Sequence, residues 1–115
     1  MAYTNLDYLR NITGGDPDSI REIIILFMEQ VPEFIENLKK HLHDKNYVEL
    51  GKEAHKAKSS VMILGMEDLG HELKALQIAT INKTGEDTYA QHVSQFEDQC
   101  LMAIVELKQE LLHLG

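Results

Sequence analysis

The chain holds six histidines and one cysteine in 115 residues, and His55 has the neighbours best suited to chemistry. It stands in Ala54-His55-Lys56-Ala57-Lys58-Ser59-Ser60, and residues three apart on a helix project from the same side, so Lys58 shares its face. A neutral imidazole has one unprotonated ring nitrogen that can act as a nucleophile near pH 7. An ammonium beside it would attract an anionic group carried on the ring, and a phosphoryl group is the natural candidate. Two unit charges about 4 Å apart attract by ~4 kcal/mol at an effective dielectric of 20, and exposure and salt reduce this toward ~1 kcal/mol. Lys58 would therefore orient the group without trapping it, as a carrier requires.

The remaining candidates are weaker. His71-Glu72 lacks the second histidine four residues on that a zinc protease needs. A carboxylate-bridged metal bundle needs two inward Glu-x-x-His motifs, and the chain offers only Glu110-Leu111-Leu112-His113 at its end. No metal site is expected. His41 and His43 lie in a polar helix end beside Asp44, where cations complement the helix dipole, and His92 carries no separate signal. Cys100 has no partner for an internal disulfide and falls at a core spacing, where a free cysteine acts as a small hydrophobe.

These residues must be positioned by helices, because three- and four-residue apolar steps dominate and no sustained alternation marks a strand. A short opening helix is expected around Leu6, Tyr8 and Leu9. Asp16 then caps a second helix with Pro17 in its first turn, whose apolar row runs from Ile20 to Leu42 and which Pro32 should bend. A third begins at Asn46, with Glu49 placed for a capping box, and ends near Gly65. The fourth covers about Glu67 to Asn82, and the last starts near Glu86 with Tyr89, Val93, Phe96, Cys100, Ala103 and Leu107 as its seam. Together these predict an all-α chain, one domain over residues 1–115: an antiparallel up-and-down four-helix bundle with a short additional N-terminal helix.

On a wheel of about 100° per residue, Leu50, Ala54, Ala57, Val61 and Leu64 of the third helix point within roughly 40° of one direction, and His55 lies about 140° from Leu50. His55 should therefore face solvent. Val48, Gly51, Ser59 and Met62 are placed on the same outward stripe. Gly51 and Ser59, four residues either side, would keep the ring uncrowded, while Val48 and Met62 would supply an apolar docking rim.

The run Ala54-His55-Lys56-Ala57-Lys58-Ser59-Ser60-Val61-Met62-Ile63-Leu64-Gly65-Met66 resembles the signature of the histidine phosphotransfer (HPt) domain family. The likeness extends to Leu6-Asp7-Tyr8-Leu9 with Gly14-Gly15-Asp16, the apolar helix that follows, and the helix count. The resemblance implies that His55 takes a phosphoryl group from one receiver-domain aspartate and gives it to another in a multistep two-component phosphorelay. It implies receivers as partners, including those of hybrid histidine kinases, with Mg2+ held by the receiver and no cofactor or kinase activity here. Ser59 and Ala57 depart from the family pattern, which usually has glycine and a larger apolar residue there.

Acidic residues outnumber basic ones 19 to 11, and the net charge of -8 disfavours nucleic acid and anionic membranes. No apolar run approaches the ~20 residues of a membrane span, and the start Met-Ala-Tyr-Thr-Asn-Leu-Asp is unlike a signal peptide, so a cytoplasmic protein is expected. Full burial of the inward stripes would leave a monomer. Two other readings compete: a helical adaptor that uses the His55 face without chemistry, and a kinase dimerisation domain whose phosphoacceptor is His71. His71-Glu72-Leu73-Lys74-Ala75-Leu76 resembles that box, but the proline expected after it and a Gly-rich ATP segment are missing.

Overall fold

The computed structural model describes residues 2–114. Its helices are α1 (Asp7–Thr13), α2 (Pro17–His43), α3 (Tyr47–Ile63), α4 (Glu67–Asn82) and α5 (Tyr89–His113), with one 3-10 turn at Glu86–Thr88 and no strand among the described residues. α2 starts as its sequence predicts. The Ser19 hydroxyl and backbone N–H donate to Asp16 Oδ2 at 2.7 and 3.1 Å. These two bonds, the hydroxyl's first, hold the Asp16 carboxyl below its ordinary pKa because both favour the charged form. Pro32 sits on the exposed side of α2, and the helix continues through it as one element.

α3 departs from expectation at its start. Asn46 makes no side-chain cap bond, and the Glu49 carboxylate turns to Lys52 at 3.3 Å. The capping box predicted from Asn46 and Glu49 is not formed; instead the Asn46 N–H donates to the His41 carbonyl at the end of α2. At the far end, Gly65 has φ +74°, the left-handed region that favours glycine. A Cβ there would also lie 2.2 Å from the Asn5 carbonyl oxygen. That close approach lets the Asn5 N–H donate to the Leu64 carbonyl at 2.9 Å, tying the opening segment to the end of α3.

α4 ends at Lys83, which itself takes the left-handed conformation, φ 56°. The Tyr89 hydroxyl donates to the carbonyls of Ala79 and Thr84, at 3.0 and 2.8 Å, closing the turn into α5. The last helix, expected from about Glu86, thus opens with the 3-10 turn and becomes α-helical at Tyr89.

The four long helices form a ring in which α3 packs on α2 and α4, and α5 packs on α2 and α4. α3 and α5 are therefore diagonal, and their outer faces look in opposite directions. The predicted inward rows fill the core: Ile24, Val31 and Leu38 of α2, Leu50, Ala54 and Ala57 of α3, Leu69, Leu73 and Leu76 of α4, and Phe96, Cys100 and Leu107 of α5 are all buried. Leu6 and Leu9 cover one end while Tyr8 of α1 faces solvent. Burying a side chain of this size contributes about 1.5–3 kcal/mol, so the apolar rows dominate the energetics. Two polar ties lie in the α2–α3 seam: Asn37 Nδ2 donates to Glu53 Oε2 at 3.1 Å, and Ser60 Oγ donates to Gln30 Oε1 at 3.2 Å.

Candidate functional site

α3 turns Leu50, Ala54, Ala57 and Val61 into the core, and this leaves His55 exposed on the other side. Its ring has no hydrogen-bond partner among the described residues, while its carbonyl accepts from the Ser59 hydroxyl at 3.5 Å. Val48 is 66% exposed and Ser59 is exposed, as the wheel predicts.

Gly51 is different. It is buried against α4, and a Cβ there would fall 2.2 Å from Thr80 Oγ1. The glycine is thus required by helix packing, and the expected place for Gly51 on the outward stripe is corrected. Gly70 of α4 plays the same part from the other side, because a Cβ there would meet Met62 Sδ at 2.3 Å. Met62 is accordingly only half-exposed, its side chain laid over Gly70. Small residues at both crossings let α3 and α4 approach closely, and this fixes the direction in which His55 points.

Lys58 gains a distinction invisible in the motif. Lys52 lies 3.3 Å from Glu49 and Lys56 lies 3.7 Å from Glu53, each paired within its own helix. Of the three lysines of α3, Lys58 alone has no carboxylate within 4 Å among the described residues. With Ser59 and Met62 it borders an open groove of about 770 Å³ whose far bank is α1, including Tyr8 and Asn11. The sequence pattern carries no signal for that bank, which tertiary contacts bring there, among them the Asn5–Leu64 bond and the burial of Leu6 and Leu9.

The family model described as "Hpt domain" matches residues 22–114, nearly the whole chain. The chain belongs to the Hpt domain family. No curated protein and no solved structure gives a significant match. Hpt domains are helical bundles that carry phosphoryl groups on histidine in two-component phosphorelays, where they meet receiver domains; as a family they are phosphocarriers rather than kinases.

The other sequence candidates in this Hpt domain fall away from the His55 face. His71 is exposed on α4, and the carboxylate of its neighbour Glu72 meets His92 Nδ1 of α5, not a group of α3, at 3.0 Å. No three His, Cys, Asp or Glu side chains stand together as a metal site would need, among the described residues. No described helix is long and apolar enough to cross a membrane. Cys100 is fully buried, and that burial pushes its thiol up to about 12, so it is held protonated and unreactive.

Proposed function

We propose that His55 is the phosphoacceptor of this Hpt domain and relays a phosphoryl group between receiver-domain aspartates in a multistep cytoplasmic phosphorelay. The observation that carries the reading is an exposed imidazole on α3, opposite the core, one helical turn from a lysine without a carboxylate partner among the described residues.

The unprotonated ring nitrogen of His55 attacks the phosphorus of a receiver's aspartyl phosphate. The new N–P bond forms as the acyl P–O bond breaks, and the aspartate leaves as its carboxylate. The onward step reverses this on a second receiver: its carboxylate attacks phosphorus and the imidazole leaves, recovering its electron pair. The Lys58 ammonium compensates phosphoryl charge in both states, which favours orientation more than tight holding. The receiver's acidic pocket would hold Mg2+, and that cation would offset the negative charge of the transferring group. Val48, Ser59 and the exposed part of Met62 form the contact surface around the ring.

Incubation with a phosphorylated receiver tests the reading. The expected product is an acid-labile, base-stable adduct on the wild-type chain and none on His55→Gln, with both proteins equally helical. An adduct that persists in His55→Gln, or that disappears only with His71→Gln, refutes the assignment. A receiver that binds with equal affinity yet never transfers would favour a helical adaptor.

A further inference from the structure

α5 buries one row of side chains and exposes another that the core does not use. Asp98, Leu101, Val105 and Lys108 recur at steps of three, four and three on its outer side, with Ser94 and Leu112 continuing the row four residues beyond each end. On a wheel of about 100° per residue all six fall within roughly 80°, centred about 140° from the buried row. Leu101, Val105 and Leu112 are 49%, 57% and 77% exposed. An alternating three-four repeat of this kind is the seam of a helix packed lengthwise on another, yet no element of this chain covers it.

Exposed apolar side chains border the row, among charged ones that pair across the α2–α5 seam. Met102 flanks it on α5 and is 48% exposed. On the other side lie Ile25 and Pro32, exposed on the row of α2 that includes Arg21 and Lys39. Those two residues tie α2 to α5 through the Leu114 carbonyl at 2.7 Å and Glu97 at 2.8 Å, so Ile25 and Pro32 stand beside the seam.

The order of residues along the row identifies the occupant. If a second α5 is laid antiparallel across the first with the two-fold axis at Ala103, residue n meets residue 206 minus n. Leu101 then meets Val105 of the other copy, Asp98 meets Lys108, and Ser94 meets Leu112, each contact occurring twice. At its centre the row is self-complementary, apolar on apolar at Leu101–Val105 and opposite charges at Asp98–Lys108, as a closed two-fold interface requires. Neither Asp98 nor Lys108 has an ion-pair partner within the chain among the described residues. We propose that two copies of this chain pair antiparallel through the outer face of α5. Because α3 is diagonal to α5, both His55 residues would face away from the pair and stay open to partners. The expectation of a monomer rested on the inward rows, which are indifferent to this outer one.

Sedimentation equilibrium from about 1 µM to about 1 mM, in salt near 0.15 M where the net charge is screened over about 8 Å, reads the pairing directly. The mass should rise from 13.1 kDa to twice that value. Leu101→Asp should weaken the dimer by roughly tenfold or more, as should Asp98→Lys or Lys108→Asp alone, since each of the latter sets like charges opposite one another twice. Mixing Asp98→Lys with Lys108→Asp restores opposite charges at both contacts and should recover a mixed dimer near wild-type strength. All three are exposed substitutions, and circular dichroism checks the fold. A chain that stays monomeric to the highest concentration overturns the proposal. So does a dimer indifferent to Leu101→Asp, or charge variants that fail to recover on mixing.

Discussion

Replacing Gly51 with alanine separates two accounts of why a glycine lies four residues before His55. On an exposed helix face, Gly→Ala removes a backbone-entropy penalty and stabilises by about 1 kcal/mol. At the α3–α4 crossing the new Cβ would lie 2.2 Å from Thr80 Oγ1 and 3.3 Å from Thr80 Cβ. Thr80 is buried, and its hydroxyl donates to the Gln77 carbonyl at 2.7 Å. Either the hydroxyl rotates away and gives up that bond, at about 1 kcal/mol, or the helices separate, at the ~1–3 kcal/mol typical of an overfilled interior. Less the ~1 kcal/mol helix gain, a net loss of about 0–2 kcal/mol follows in place of a ~1 kcal/mol gain, up to several degrees in Tm for a chain of this size. Urea unfolding of wild type, Gly51→Ala, Thr80→Ala and the double variant forms a double-mutant cycle. Removing the Thr80 hydroxyl should cancel most of the alanine's cost, giving a favourable coupling of about 1 kcal/mol or more. A Gly51→Ala protein as stable as wild type or more so, with no coupling to Thr80, would falsify the packing account and return Gly51 to the exposed stripe.

Lys58→Ala should lower the transfer rate or the lifetime of the phosphohistidine by up to about fivefold, the equivalent of ~1 kcal/mol, and leave the urea midpoint unchanged; identical kinetics would remove Lys58 from the site. Gly65→Ala should cost at least ~2 kcal/mol, because the left-handed backbone penalises a Cβ by about 1–2 kcal/mol and the Asn5 carbonyl must also move; an unaltered melting curve would contradict this. Tyr89→Phe removes both hydroxyl bonds at the end of α4 and should cost about 1–2 kcal/mol at pH 7. Burial raises the Tyr89 pKa above its ordinary value near 10, so its contribution is complete below that pH and is lost as pH rises through the folded value. Wild type should therefore lose stability above about pH 10 more steeply than Tyr89→Phe, and parallel alkaline curves would refute the assignment. The buried Cys100 thiol should react with a disulfide reagent at pH 8 only as fast as the protein unfolds; rapid labelling of the native chain would show that it is accessible.

The helices were legible in the sequence because burial imposes a period, and a row such as Leu50, Ala54, Ala57 and Val61 has one physical explanation. The outward direction of His55 followed from the same row. Gly51 did not follow, for a definite reason. A wheel places it about 100° from the core direction, where a residue is exposed or buried according to which flank the next helix occupies, and the pattern of α3 alone cannot say that α4 lies on Gly51's side. Met62 shares the ambiguity. The Asn46 cap was misjudged because a capping box competes with tertiary partners, and here Lys52 attracts Glu49 while His41 accepts the Asn46 N–H. The unpaired state of Lys58 has a counterpart in the sequence outside the motif: Glu49 and Glu53 lie three residues before Lys52 and Lys56, whereas His55 holds that position before Lys58. The α1 bank of the groove was not visible at all, since it depends on a contact between Asn5 and Gly65 some sixty residues apart.

The Asn37–Glu53 and Gln30–Ser60 bonds act as two pins sixteen and thirty residues apart in the chain. Sliding α3 by one turn along α2 would unpair both at once and leave the buried Glu53 carboxylate with only its own-helix partner Lys56, so both bonds favour the same register between the helices. The placement of the His55 face relative to α2 is thus set within the fold itself. A partner that docks there meets a surface with little ordering left to do, which favours quick arrival, and the contact surface need not tighten to be productive, which favours quick departure. Under the proposed relay, such a preset face would serve speed of turnover more than strength of grip.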